Sequence, residues 1–209
     1  MTQIPPVHLI HDPAEGATFV AVETVRKLSY EEFLDFEGED ETLRYEWVDG
    51  ELVVSPWPDN PHQLVAVRTA RELFRLGDDA GHGLTLPQMT FRVSAGRARI
   101  PDLVFIGRAK LPLPARARDL SVVPDLVVEI LSPSTAATDL REKRDDYRAA
   151  RVPAYWIVDP EARSVTVWDF TAQPPTAVEY RDHLPWVSAG QRLGEIDLAA
   201  LFATEGWLR

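Results

Sequence analysis

The chain has 209 residues, 45% of them hydrophobic and 26% charged, the ordinary mixture of a globular protein long enough to bury a core without staples. It has no cysteine, which excludes disulfides, thiolate zinc sites and cysteine nucleophiles and leaves carboxylates, histidines or backbone oxygens for any metal. The net charge is −11, yet residues 1–60 hold 14 acids against 3 bases, residues 61–160 hold 15 bases against 12 acids and residues 161–209 hold 4 bases against 7 acids, so the middle is mildly basic and permits phosphate contacts.

The opening MTQIPPVHLIHDPAEG has neither a basic region nor an apolar core of the kind that directs secretion. Apolar stretches such as Leu103–Ile106 fall far short of the ~20 residues of a membrane helix, so a soluble cytoplasmic chain is expected. Residues 1–28, with Pro5, Pro6 and Pro13, read as an irregular segment before a single domain over 29–205. Ser29 ahead of Glu31 and Glu32 predicts a capped helix to about Phe36. After the polar loop Gly38–Thr42, Tyr45–Val54 reads as a hairpin about Asp49-Gly50. Three prolines make Ser55–Pro61 irregular. Apolar residues at helical spacing then predict a helix over His62–Leu76, ended by Gly77, Gly81 and Gly83.

A strand follows over Leu84–Val93, with a turn at Ser94-Ala95-Gly96. Leu103–Ile106 and Leu126–Leu131 are short apolar runs, each introduced by Pro-Asp, and read as buried strands. Residues 107–123 between them are a Pro- and Arg-rich connection. A helix over Asp139–Arg151 starts from Thr138 or Asp139 as cap and closes at Val152-Pro153. Tyr155–Val158 and Val165–Phe170 form a hairpin around Asp159-Pro160. The tail holds a turn at Gln173–Thr176 and a short apolar segment at Ile196–Phe202. This order predicts an α/β (α+β) sheet with helices packed on it.

Two acids stand out by position. Asp102 opens a buried strand, and Glu129 lies inside the most apolar run of the chain. An ionised carboxylate there needs a cation, a metal or a proton. Strand alternation sets Glu129 beside Val127, opposite Val128 and Ile130; it either points at a site or pairs with a cation. Lys143 shares a helical stripe with Leu140, Tyr147 and Ala150, which puts a cation on the face that meets the sheet. Its stem can instead pack while its head reaches the helix edge. Two carboxylates and an ammonium at a sheet edge suit metal-assisted hydrolysis of a phosphodiester, with a hard cation on the oxygens.

These residues belong to an ordered set: Tyr45-Glu-Trp-Val-Asp-Gly-Glu-Leu52, Pro61-His-Gln63, Ile100-Pro-Asp-Leu-Val104, Pro124 to Ser134, Asp139 through Lys143 to Tyr147, and Val152 to Pro160. The set resembles the Uma2 family of the PD-(D/E)XK nuclease superfamily, over roughly residues 29–205. The resemblance implies a restriction-endonuclease-like αβββαβ core with a mixed central sheet flanked by helices and an N-terminal β-hairpin extension. It assigns Asp102 and Glu129 to the motif's acids. The motif's lysine belongs two residues past Glu129, where this chain has Leu131, so the resemblance implies that the lysine has migrated to Lys143. The Ile130 carbonyl becomes a further metal ligand. The implied protein is a Mg²⁺-dependent endonuclease acting on DNA, with Mn²⁺ as substitute and a homodimer as assembly.

Lesser candidates are Glu46 and Glu51 beside the hairpin turn, which either reach the metal or are surface charges, and His62, which either contacts phosphate or water or starts its helix. Ser132 and Ser134 suit capping, and Trp47, Trp57, Trp156 and Trp168 suit core packing over base stacking. A rival reading is a nuclease-like fold serving as a binding or assembly module, favoured by Leu131 and the acidic N-terminal third. A hydrolase of another phosphate ester is the third.

Overall fold

The computed structural model describes residues 9–11, 18–20, 27–36, 43–56, 59–132 and 139–203. The polar loop 38–42, Trp57, Ser134 and the Thr138 cap lie outside them. Within the first 28 residues, expected to be irregular, β1 (Leu9–His11) pairs antiparallel with β2 (Thr18–Val20). Helix α1 (Tyr30–Leu34) starts at Ser29, whose hydroxyl accepts from the Glu32 N–H while the Glu32 carboxylate accepts from the Ser29 N–H, a reciprocal capping box. Strands β3 (Leu43–Val48) and β4 (Glu51–Pro56) form the expected hairpin. Asp49 at φ 53° and Gly50 at φ 90° give the two positive φ values that a type I′ turn requires.

Helix α2 (Asn60–Leu73) begins two residues earlier than its apolar pattern predicts. Asp59 caps the His62 N–H, and Pro61 sits in the first turn, where its missing N–H costs nothing. The proline therefore starts the helix and does not break it. At its end the chain widens into a π-type turn, Phe74–Asp78, with the Asp79 N–H reaching the Phe74 carbonyl. Gly77 lies there because a Cβ would come 2.6 Å from the Phe105 ring and 2.8 Å from the Trp186 ring.

The predicted strand 84–93 is two strands in different sheets. β5 (Gly83–Pro87) pairs with β8 (Leu103–Gly107), whereas β6 (Phe91–Ser94) pairs with β7 (Arg97–Arg99) across the Ser94–Gly96 turn. Gln88, at φ 49°, turns the chain from one sheet to the other. β9 (Leu126–Ile130) follows. The next predicted helix opens as a π-type turn, Asp139–Lys143, and continues as α3 (Arg144–Ala149). β10 (Ala154–Asp159) and β11 (Ser164–Asp169) are the expected hairpin. The tail is richer than predicted: β12 (Thr176–Tyr180), β13 (His183–Ser188) and β14 (Gln191–Asp197) precede helix α4 (Leu198–Leu201).

Six strands form the central sheet in the order β12-β11-β10-β9-β8-β5, and four form a second sheet in the order β4-β3-β7-β6. The central sheet is mixed: β9 and β10 are parallel, joined by the crossover that carries α3, and its other pairs are antiparallel. This is the αβββαβ core that the resemblance implies, formed by α2, β5, β8, β9, α3 and β10. One sheet face sends Leu103, Phe105, Leu126, Val128 and Ile130 against α2, α4 and the β13–β14 pair. The other sends Val104, Ile106, Val127 and Ile157 against Tyr147 of α3. Each fully buried aliphatic side chain contributes about 1.5–3 kcal/mol. These faces fix β8 and β9, and with them Asp102 and Glu129.

Gly77→Ala tests the close approach at the π-type turn. The added methyl must displace two core rings, so a loss of about 1–3 kcal/mol is expected, read as a lower urea midpoint with an unchanged slope.

Candidate active site

Asp102 stands just before β8, one position beyond the register pair Leu103↔Val128, and that register continued by one places it opposite Glu129 on β9. Both carboxylates are buried, at 5% and 1% exposure. Asp102 Oδ1 accepts from Arg44 Nη1 at 3.1 Å, and its Oδ2 accepts from the Ile130 N–H at 2.8 Å. His62 Nε2 lies 3.3 Å from the same Oδ2. Burial alone would push the Asp102 carboxyl up, but the His62 hydrogen bond, the Arg44 charge and the Ile130 N–H together hold it below the ordinary carboxylate range.

Glu129 is held from the crossover. Lys143 Nζ lies 3.1 Å from its Oε1, and the Tyr147 hydroxyl donates to that oxygen at 2.6 Å. Lys143 and Tyr147 are four residues apart and so share one helical face. Burial first, and then the Glu129 and Glu46 charges, raise the Tyr147 pKa well above its usual value, keeping the hydroxyl a donor. Lys143 does not reach the helix edge: it is 7% exposed and also lies 3.5 Å from Glu46 Oε1.

Glu46 enters from β3. Its Oε1 accepts from the Ile100 N–H at 3.1 Å and its Oε2 from Arg99 at 3.0 Å. Burial works against its charge, and Lys143, Arg99 and the Ile100 N–H outweigh burial and lower its pKa. Arg99 of β7 is 1% exposed and reaches Asp146 of α3 at 2.7 Å as well as Glu46. Burial opposes the charge of Arg44 and Arg99 alike, yet the carboxylates around them raise both pKa values.

The structure thus gathers Asp102, Glu129, Lys143, Glu46 and His62 into one region, with the Ile130 backbone beside them. Glu51 stays outside, exposed and 3.9 Å from Lys27. Trp47 and Trp156 are core residues, and the Trp168 ring lies under Arg144. Arg44, Arg99, Asp146 and the Tyr147 hydroxyl belong to the constellation and were not singled out from sequence. One signal was present: Arg44 and Glu46, and likewise Arg97 and Arg99, recur at period two, so each pair shares a strand face.

Asp102, Glu129 and the Ile130 carbonyl are hard oxygen donors, so their chemistry fits Mg²⁺ or Mn²⁺. No group of three or more His, Cys, Asp or Glu able to hold a metal occurs among the described residues. A cation would therefore complete its shell from the backbone and solvent, as Mg²⁺ commonly does. No helix among the described residues is long and apolar enough to cross a membrane.

A family model for Uma2, described as "putative restriction endonuclease", matches residues 30–199. Among solved structures, the chain is similar to "a putative nuclease belonging to DUF820" from Anabaena variabilis ATCC 29413. The TM-score is 0.68 at 16% identity, covering 84% of this chain and 97% of that one, which is a likeness of fold. No curated protein matches the chain.

Because Asp102 and Glu46 both have lowered pKa values, the unfolded chain binds more protons than the folded one just below the ordinary carboxylate pKa. Their contribution to stability is complete above about pH 4 and is lost as pH falls further. Urea unfolding across that range is expected to show a steep acid limb in the wild type. Asp102→Asn, less stable at neutral pH, is expected to lose less over the same drop; equal slopes would remove Asp102 from the linkage.

Proposed function

The chain belongs to the Uma2 family, and from that premise we propose that it is a divalent-metal-dependent endonuclease that hydrolyses phosphodiester bonds in DNA. One observation carries the reading: Lys143 Nζ stands 3.1 Å from the Glu129 carboxylate, itself cross-strand from Asp102, so two acids and an ammonium form one constellation. Asp102, Glu129 and the Ile130 carbonyl would hold Mg²⁺, with Mn²⁺ as substitute. When bound, the ion would supply charge neutralisation at the phosphate and a lower pKa for an attacking water.

The other roles belong to the chain's own residues. Lys143 orients the attacking water and offsets negative charge as it builds on the phosphate oxygens. Leu131, where a strand-borne lysine would sit, packs instead with the apolar cluster on the α3 face, which supports a lysine delivered from the crossover. Tyr147 and Glu46 are positioning residues: the first fixes the Glu129 carboxylate, and the second draws Lys143 from the opposite side. His62 and Arg44 orient Asp102. A double-strand cut needs two such sites, so a homodimer is the expected assembly.

A second reading has its own support. Asp102 and Glu129 are already compensated by Arg44, His62 and Lys143, so the two carboxylates have cationic partners without any added ion. This favours a binding or assembly module.

Titration calorimetry with Mn²⁺ and Mg²⁺ separates the two. In the nuclease reading the wild type binds, and Asp102→Asn and Glu129→Gln lose at least ~10–100-fold in affinity, the loss seen even when residues that merely support metal ligands are changed. Lys143→Met is expected to keep metal binding while cleavage of plasmid DNA falls about 10²–10³-fold. A folded wild type that binds neither ion, alone or with an oligonucleotide, supports the module reading. Cleavage retained in Glu129→Gln would sink the site assignment.

A further inference from the structure

Helix α3 and the turn before it have two unlike flanks. On one, Asp146 pairs with Arg97 at 3.1 Å and with Arg99 at 2.7 Å, which ties the helix to β7. On the other, Arg144 lies over the Trp168 ring of β11, 5.3 Å from its centroid, and reaches Asp145 at 2.8 Å. Arg148 is four residues beyond Arg144 and shares its face, and Arg141 stands three residues before it. Arg141, Arg148 and Arg151 are exposed, and among the described residues their side chains have no hydrogen bond, ion pair or ring contact. In a chain with 33 acids and 22 bases an exposed arginine readily finds a carboxylate, as Arg71, Arg75, Arg118, Arg181 and Arg192 do. Arg116 and Arg163 are unpaired too, but each stands singly in a connection between elements. Local forces do not account for the run. The helix dipole favours Arg148 in the last turn but opposes Arg141 near the start. Arg151 takes a left-handed φ of 63°, a position that glycine fills at least cost.

We infer that Arg141, Arg148 and Arg151 form a docking surface for the phosphate backbone of duplex DNA. The inference rests on the nuclease reading, which supplies DNA as the ligand, and adds the surface on which the duplex lies. A guanidinium binds phosphate oxygens through charge-assisted hydrogen bonds, and these three need not first leave a carboxylate. The acids of the helix do not cancel them: Asp146 is held by β7, Glu142 lies 3.5 Å from Arg99, and Asp145 is taken by Arg144. The spacing suits a strand. Seven residues of helix separate Arg141 from Arg148, roughly 10 Å, which is the axial length of about three phosphates on one strand. Arg141 is two residues before Lys143 and Arg144 follows it directly, so the surface and the ammonium are carried by one element. Contacts to phosphate position the duplex without reading its bases.

The test is fluorescence anisotropy of a labelled DNA duplex of about 20 base pairs, titrated with the full chain in EDTA at a series of salt concentrations. Without metal, binding is read apart from cleavage. Each lost phosphate contact flattens the dependence of log K on log salt by about 0.9, so Arg141→Ala combined with Arg148→Ala is expected to flatten it by about 1.8. Between about 50 and 200 mM salt the wild type then loses roughly ten-fold more affinity than the double variant. The weakening is expected to be alike for duplexes of unrelated sequence. Arg71→Ala, on the opposite face of the central sheet, removes an equal charge and is expected to leave the slope unchanged. A wild-type slope in the double variant would overturn the inference and leave the nuclease reading in place, as would an equal loss of slope in Arg71→Ala. A wild type that binds the single strand and not the duplex overturns the docking surface alone, and one that binds neither overturns both. If the double variant loses slope while Glu129→Gln still cleaves, the surface stands and the catalytic assignment falls.

Discussion

Glu46, Asp102, Glu129 and Asp146 converge from two strands, the approach to a third and a helix, and like charges so close stay ionised only where cations stand between them. Arg44, Arg99 and Lys143 fill those places. Each cation holds a carboxylate of the central sheet, the second sheet or α3, so the charge pattern is also a pattern of attachment. Arg99 fastens β7 to α3, Arg44 fastens β3 to the start of β8, and Lys143 fastens the crossover to both β3 and β9. The four-stranded sheet is therefore part of the site's frame, although it lies outside the αβββαβ core.

Such an arrangement is expensive as a source of stability. Desolvating a buried pair offsets much of its attraction, while removing one partner alone costs about 3–5 kcal/mol because the other charge is stranded. A core built only for stability would place apolar residues at Glu129 and Lys143, as it does at neighbouring Val127, Val128 and Ile130, all at or below 1% exposure. Charges retained in this setting fit a requirement of chemistry better than one of folding.

What could be read from sequence follows the range of the forces involved. The Asp49-Gly50 turn and the Ser29 cap were legible because backbone conformation and capping are local. Asp102, Glu129 and Lys143 were legible because a charge in an apolar setting stands out within a few residues. The partners were not. Arg44 and Arg99 sit on short, half-polar strands where an arginine looks solvated, and only the pairing of β3 with β7 and the docking of α3 bury them. Two adjoining sheets cannot be told from one long strand when the junction is only three residues, Gln88 to Thr90, with Gln88 at positive φ. The β13–β14 pair was hidden by Pro185 and Gly194, residues that argue against a strand unless a bulge or an edge accommodates them.

The wide turn over Asp139–Lys143 decides what sets the position of the ammonium. A π-type turn is an α-helix with one residue too many, so it shifts the faces on its two sides by about 100°. Lys143 and Tyr147 lie at the end of the turn and beyond it, in phase with each other and with Glu129, whatever the phase of the connection leading in from β9. A lysine on β9 would be bound to the sheet's register, and a slip of one residue would throw it to the opposite face. A lysine beyond this turn is released from that register. The ammonium's place is set by how α3 docks on the sheet and not by where β9 ends.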